Sequence, residues 1–550
     1  MMMDLQSAAA AMNAQLLAPT TATTLSFSAV STDSRALLPG TLFFALRGAN
    51  FDGHEFIAMA AAQGCVAAVV DLPPHSPLLQ GLSLPLLHVA NARLALGALA
   101  AHWRARFSIP VIGVTGSNGK TTTKEMIASI MRAAFGDAVL VTPGNLNNDI
   151  GMPLTLLSLN AQHRAAVIEM GMNQIGEMAY LANIVRPTVA LVTNAQRAHL
   201  EGMGTLEVIA REKGSLYSVL SSSSDGVSDN TSDSASANPE QRTAQTAVAV
   251  INADDTWAPL WRKQCQHDAG VRILTFGFAQ TVQDGLQRGL DVTGSCQIHG
   301  LDNRLSLRMR RDSASAALGA AVAPERAAAG GVTASTEVDA AGEKAWQSAE
   351  VDLALPGRHN ALNALAAAAT ALATGIALDV VAQGLRAFKG VKGRLQRRSG
   401  LHGAVLLDDT YNANPDSVRA GIDVLAATVG RKILVLGDMG EIGQMTAQFH
   451  DEMGGYAKSQ GIDRLFAVGE ASQVAARNFG PGGQHYKNME SLGEALRAEL
   501  APDTTVLIKG SRFMRMERLL PAIEVSEASA SKAQSPASGS ATQPGAATCS

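Results

Sequence analysis

An α/β fold in three domains is what this sequence predicts, and three features of the chain say so. Short apolar runs alternate with helical patterns along most of its length, the signature of parallel sheets with helices on both faces. A glycine loop joins one such run to a helix near Gly116, which marks a central phosphate-loop domain. A second alternation opens after Gly393 and gives a separate C-terminal sheet. At 550 residues the chain exceeds what one core organises, so two to four domains are expected.

Each block rests on its own elements. Residues 1–104 form a small N-terminal α/β domain, with strands expected over 41–46 (TLFFAL) and 67–70 (AAVV). Residues 105–392 form the central domain, with strands over 110–114, 165–168, 188–193 and 247–251 and a helix over 122–133. Residues 393–525 carry strands over 405–407, 432–436, 464–468 and 505–508, an open sheet of the dinucleotide-binding kind. Its loop Gly437-Asp-Met-Gly440 is not the dinucleotide fingerprint, so no nicotinamide site is expected. Stretches 221–245, 314–344 and 526–550 are of low complexity. They bury too little apolar surface to offset their ordering entropy, and read as two surface insertions and a disordered tail.

Composition excludes several classes. Charged residues make up 17% and the net charge is −4, so no basic field argues for nucleic acid. The four cysteines contain no Cys-x-x-Cys pair, which suits a reducing compartment better than a disulfide or zinc framework. An acid lies near the start and no Lys or Arg precedes Arg35, so no signal peptide is expected. Apolar stretches are too short for membrane insertion. A cytoplasmic monomer is the expectation.

The segment Val114-Thr-Gly-Ser-Asn-Gly-Lys-Thr-Thr-Thr-Lys124 concentrates the chemistry. Strand, loop and helix start aim backbone N–H groups and a helix dipole at one point, which suits the phosphates of ATP. Gly116, Ser117, Asn118, Gly119 and Thr122 supply the cradle, Lys120 a point charge, and Thr121 a hydroxyl for Mg²⁺. The general pattern wants glycine five residues before Gly119, where Val114 stands, so the loop is of a particular subtype. Downstream, Glu169 ends a strand, where a carboxylate can hold Mg²⁺ or merely cap the next turn. Asn147 and Asn148 lie in an amide-rich loop over 142–151. His199 follows a strand, and a lone histidine is more often structural than a ligand. Lys213 falls in a helix expected over 205–219, with Glu207 and Arg211 on its solvated side, and reads by default as a surface lysine.

Taken in order, TGSNGKTT, EMGMNQIGE over 169–177, HLEG over 199–202, AREKG over 210–214, PGRHNALN over 356–363 and Gly393-Arg394 resemble the Mur ligases. Those enzymes add amino acids to the peptide of the cell-wall precursor. DDTYNANPDS over 408–417, LGDMGE over 436–441 and IKGSR over 508–512 resemble the branch that adds D-alanyl-D-alanine to UDP-N-acetylmuramoyl-tripeptide. TDSR over 32–35 and NFDGH over 50–54 resemble that branch's UDP-binding domain. The likeness spans roughly residues 25–520, with the insertions as departures from the compact family pattern.

The resemblance implies an ATP- and Mg²⁺-dependent ligase working through an acyl phosphate. Lys120, Glu169, His199, Lys213 and Arg394 would be catalytic. Thr121, Glu169, His199 and a carbamate of Lys213 would hold metal. Asn360 would meet adenine, Asp409 the ribose, and Arg394 the γ-phosphate once the domains close. Ser34 and Arg35 would bind the UDP-substrate, with Asn147 and Asn148. Tyr411, Asn412, Asn414, Lys509, Ser511 and Arg512 would bind D-alanyl-D-alanine, one cation meeting its carboxylate. Other readings are a folylpolyglutamate synthase, the sister ligase that adds the third amino acid, a phosphate-loop kinase or mechanical ATPase, and a non-catalytic nucleotide scaffold.

Overall fold

The computed structural model describes residues 1–17, 25–82, 84–221, 246–268, 270–310, 335–337 and 346–525. The low-complexity stretches lie almost wholly outside them. The described chain divides into two compact units. One is Met1–Val391 with Glu441–Gln444, and the other is Lys392–Gly440 with residues from 445 onward.

In the first unit a five-stranded sheet is built from Ala29–Ser31, Thr41–Phe44, Ala67–Val70 and Leu86–His88 in parallel, edged by antiparallel Gln15–Leu17. A ten-stranded sheet follows. Its parallel part runs Val139–Val141, Ala165–Glu169, Val111–Thr115, Val189–Val192, Val248–Asn252, Arg272–Phe278 and Val292–His299 in spatial order. Strand Val111–Thr115 is fully buried, so both faces must be apolar. Val111 enters one core while Ile112 and Val114 enter the other. The Ala-rich helix Arg358–Ala373 covers one face, and small side chains let it seat closely on the strands.

The chain leaves Val111–Thr115, builds Val139–Val141 and Ala165–Glu169 on one side, then returns to build Val189–Val192 on the other. That reversal opens a crevice at the carboxyl end of Val111–Thr115, where such sheets bind ligands. One departure from expectation is an antiparallel wing, Val292–His299, Asp302–Arg310 and Trp346–Leu353, extending the parallel sheet.

The second unit holds a six-stranded sheet in the order Gln396–Ser399, Val405–Asp409, Thr504–Lys509, Arg431–Gly437, Arg464–Val468 and Gly483–Tyr486. Only Gln396–Ser399 is antiparallel. No helix among the described residues is long and apolar enough to cross a membrane.

Candidate active site

The glycine loop lies at the crevice of the ten-stranded sheet and leads into helix Lys120–Phe135. Gly119 caps that helix at φ 80°, and a Cβ there would stand 2.4 Å from Asn363 Oδ1, so only glycine fits. A second loop, which the sequence did not single out, clamps the first. The backbone N–H of Asn118 donates to Asn194 Oδ1 (2.9 Å), and Thr193 Oγ1 donates to the Asn118 carbonyl (2.7 Å). Asn118 Nδ2 donates to Gln196 Oε1 (2.7 Å), and the Gln196 N–H donates to Ser117 Oγ (2.9 Å). Lys120 Nζ donates to the carbonyls of Gly116 (2.6 Å) and Ser117 (3.2 Å). Side chains of the second loop thus tie down the first on both backbone and side-chain groups.

Glu169 ends the neighbouring strand, fully buried. Thr121 Oγ1 lies 3.4 Å from its Oε1, and Asn147 Nδ2 donates to the same oxygen at 2.8 Å. Oε2 is buried with no hydrogen-bond partner. Asn147 therefore serves the carboxylate, and Asn148 Oδ1 accepts from the N–H of Gly151 (2.8 Å), the first residue of a short helix. The structure gives both amides partners within the protein.

Lys213 is buried, contrary to the surface position its local pattern suggested. The reason is tertiary: helix Leu206–Gly214 is pressed inward by Trp261, whose Nε1 donates to the Ala210 carbonyl. On its other side Glu212 Oε1 accepts from the N–H groups of Gly176 (2.8 Å) and Met178 (3.1 Å), tying the helix to the start of helix Glu177–Val185. Burial, and then the charge of Lys120, push the Lys213 amine well below its ordinary range, while Glu212 pulls the other way.

His199 caps the short helix Leu200–Met203 at φ 59°, a left-handed backbone rare outside glycine. Its Nδ1 lies 2.8 Å from Glu441 Oε2, within the same unit. The hydrogen bond from His199 holds the Glu441 carboxyl below its usual value, against burial, and the charge of Lys120 adds to this. Lys120 therefore acts electrostatically on both Lys213 and the acid that grips His199, while its neighbour Thr121 meets Glu169. Asn360 is buried, donating through Nδ2 to the Pro356 carbonyl and accepting from Asn363 Nδ2. Among the described residues no group of three or more His, Cys, Asp or Glu gathers to hold a metal unaided.

At the N-terminal sheet, Ser34 is buried and Arg35 is exposed, folded onto Asp33, which it holds down to about 2. Cys65 and Cys265 are buried, their thiols pushed up to about 11 and about 12, so neither is a nucleophile.

In the second unit, Lys509 Nζ donates to Asp409 Oδ2 (2.6 Å) and to the Asn412 carbonyl (2.9 Å), so its ammonium is already committed. Burial raises the Asp409 carboxyl, and Lys509 opposes that rise. Asn414 and Ser417 form a reciprocal cap on helix Pro415–Ala426. Ser511 Oγ donates to the Ala413 carbonyl and accepts from the Gly440 N–H. The Arg394 guanidinium lies 4.3 Å from the centre of the Tyr411 ring. Arg512 lies 5.9 Å from the same ring and pairs with Glu517, yet stays largely exposed.

Comparison with known proteins accounts for this arrangement. Residues 26–104 match the model "Mur ligase family, catalytic domain", 114–371 "Mur ligase middle domain", and 393–512 "Mur ligase, glutamate ligase domain". The UDP-N-acetylmuramoyl-tripeptide–D-alanyl-D-alanine ligase of Escherichia coli is 36% identical over 502 residues, 91% of this chain and 94% of the relative. A crystal structure of MurF from Acinetobacter baumannii superposes with a TM-score of 0.73 at 31% identity, covering 94% of this chain and 97% of that one. MurF from Thermotoga maritima, solved with ADP, shares the fold at a TM-score of 0.67 and 24% identity, over 90% and 96% of the two chains.

Proposed function

The chain belongs to the Mur ligase family, and from that premise we propose that it is an ATP-dependent amide ligase joining D-alanyl-D-alanine to UDP-N-acetylmuramoyl-tripeptide in peptidoglycan precursor synthesis. The observation that carries the site reading is the side-clamped phosphate loop with a buried acid, Glu169, beside Thr121.

A carboxylate and an amine do not condense at neutral pH, because oxide is too poor a leaving group. The tripeptide's terminal carboxylate oxygen therefore attacks the γ-phosphorus of ATP, releasing ADP and forming an acyl phosphate. The dipeptide amine attacks that carbonyl carbon, a proton is lost from nitrogen, and the C–O bond to phosphate breaks. Phosphoryl transfer asks the chain mainly for position and charge. The amides of Ser117 and Asn118 are taken by Asn194, so those at the start of helix Lys120–Phe135 would hold the phosphates, and the Lys120 ammonium would exchange two loop carbonyls for phosphate oxygens. Closure of the crevice to water protects the acyl phosphate from hydrolysis.

A divalent cation, Mg²⁺ in our reading, fits the residues present. Glu169 Oε2 is a buried carboxylate oxygen without a hydrogen-bond partner, and Thr121 stands beside the same group. The small number of protein ligands suits an ion held chiefly by substrate phosphates. Thr121 and Glu169 would hold it, with His199 and Lys213 serving a second ion at the acyl carboxylate. Such ions neutralise phosphate charge. For Lys213 to serve, its neutral amine adds to the carbon of CO₂ and loses a proton, becoming a carbamate anion. A short carboxylic acid should restore part of the rate to Lys213→Ala; no rescue would argue against the carbamate.

For the dipeptide carboxylate, Arg512 is the better cation: it stays largely exposed beside Glu517, whereas Lys509 is buried against Asp409. A nucleotide-linked substrate and the use of ATP support a cytoplasmic site of action. The test is phosphate release from ATP with UDP-N-acetylmuramoyl-tripeptide, with and without D-alanyl-D-alanine, and the mass of the product. Release that ignores both acceptors would overturn the reading.

A further inference from the structure

Lys124 stands one turn into the phosphate-loop helix, and its side chain is fully buried. Its Nζ donates to the carbonyls of Thr142 (2.8 Å) and Gly144 (3.2 Å). Glu125 Oε1 balances it at 2.9 Å, and Glu169 Oε2 lies 3.8 Å away. Burying an ammonium is costly unless it is hydrogen-bonded and paired, and an aliphatic side chain would fill the same space. A charge at this place calls for a reason beyond packing.

The grip on Thr142 and Gly144 supplies one. Thr142 Oγ1 accepts from the backbone N–H of Glu169 (2.9 Å), so the turn fixes the acid's main chain. The same turn leads into the segment that carries Asn147, whose Nδ2 donates to Glu169 Oε1, and whose carbonyl accepts from the Gly171 N–H (2.9 Å). Both restraints on Glu169 thus pass through backbone that Lys124 holds, and the oxygen they leave over is Oε2.

We propose that Lys124 is a positioning residue: by anchoring the turn at residues 142–144 it aims Glu169 Oε2 at the divalent cation that accompanies the nucleotide. This rests on the reading of Glu169 as the metal carboxylate. Glu125 neutralises the ammonium locally, which leaves the charge of Glu169 available to the ion.

The experiment measures ADP binding to the full chain by calorimetry, in EDTA and over a MgCl₂ series, with a melting curve for each variant. Wild type should bind ADP more tightly as Mg²⁺ rises. Lys124→Met should match it in EDTA but need roughly 10–100-fold more Mg²⁺ for the same gain, the usual effect of removing an outer partner of a metal ligand. Glu169→Gln should lose the gain altogether. If Glu169→Gln loses it and Lys124→Met keeps it, the role of Lys124 is overturned while the metal reading stands. If Glu169→Gln keeps it too, the metal reading falls as well. Should the melting curve show Lys124→Met unfolded, Thr142→Val tests the same link from its other end. It removes the acceptor of the Glu169 N–H, so a raised Mg²⁺ requirement supports the proposal and an unchanged one overturns it.

Discussion

Lys213 and Lys509 are both sealed from solvent, at 1% and 2% exposure, yet the chain treats them in opposite ways. Lys509 has Asp409 at 2.6 Å and a backbone carbonyl at 2.9 Å. Lys213, among the described residues, has no carboxylate in ion-pair range. The acid next to it, Glu212, has its Oε1 turned to two amide groups instead. Its amine is therefore pushed down, by burial first and by Lys120 second. A lysine that only holds structure is given a counter-charge. A buried one without a counter-charge weakens the fold, which is tolerated where a neutral amine does chemistry. Burial alone marks neither residue; the missing partner does.

Removing each amine should break the symmetry openly. Lys509→Met leaves Asp409 buried without its hydrogen-bonded ammonium, with only the more distant charge of Arg394 acting on it, and should destabilise the second unit by about 3–5 kcal/mol in urea unfolding. An unchanged midpoint would erase the distinction. Lys213→Met should do the reverse. Phosphate release should fall about 100–1000-fold, the scale of losing one preorganised charge at the reacting centre. The first unit should meanwhile gain about 1–4 kcal/mol, as when an apolar side chain replaces a poorly compensated buried charge. The sign of its pH dependence follows from linkage. With the folded value below 10.5, the unfolded chain binds more protons between the two, so wild type gains stability as pH rises through that window. The advantage of Lys213→Met is thus full below the folded value, shrinks across the window and vanishes above 10.5. An advantage that grows with pH would contradict the environment described for Lys213.

The same pair explains what the sequence could and could not disclose. Strands such as Ala67–Val70 and Arg464–Val468 were readable because continuous apolar runs have no other use in a parallel sheet. The glycine loop between strand Val111–Thr115 and helix Lys120–Phe135 was readable because its glycines answer to local geometry. The helix expected over 205–219 stops at Gly214 with a separate turn at Tyr217–Val219. A Cβ at Gly214 would meet Gln264 Oε1 at 1.9 Å, a constraint set fifty residues away in the chain. The burial of Lys213 comes from the same distant packing, and the pairing of Asn147 with Glu169 joins residues 22 positions apart in the chain. The antiparallel wing did leave a local trace, alternate burial at Asn303, Leu305, Leu307 and Met309, which the surrounding low-complexity sequence masked.

A smaller effect sharpens the contrast between local and distant causes. Gly119→Ala would force φ 80° on a residue with a Cβ and drive it against Asn363. Strain of about 1–3 kcal/mol at the loop should weaken ADP binding roughly 5- to 150-fold in calorimetry. The chain's overall melting should barely move, because the loop is not its core. Normal ADP affinity in this variant would mean that the loop does not bear the phosphates.

The smallest effect is the most discriminating. Arg211 lies two residues before Lys213 on the same helix, but its side chain is 61% exposed and pairs with Glu207 one turn earlier, at 2.9 Å. Such an i,i+4 pair contributes roughly 0.2–0.5 kcal/mol in isolation and is screened by salt. Its backbone carbonyl, which accepts from Gln264 Nε2, survives truncation of the side chain. Arg211→Ala should therefore leave phosphate release unchanged and shift stability by no more than that, with the difference fading in high salt. If Arg211→Ala lost rate as Lys213→Met is expected to, activity would depend on the helix as a whole, and the contrast between a partnered and an unpartnered buried amine would lose its force.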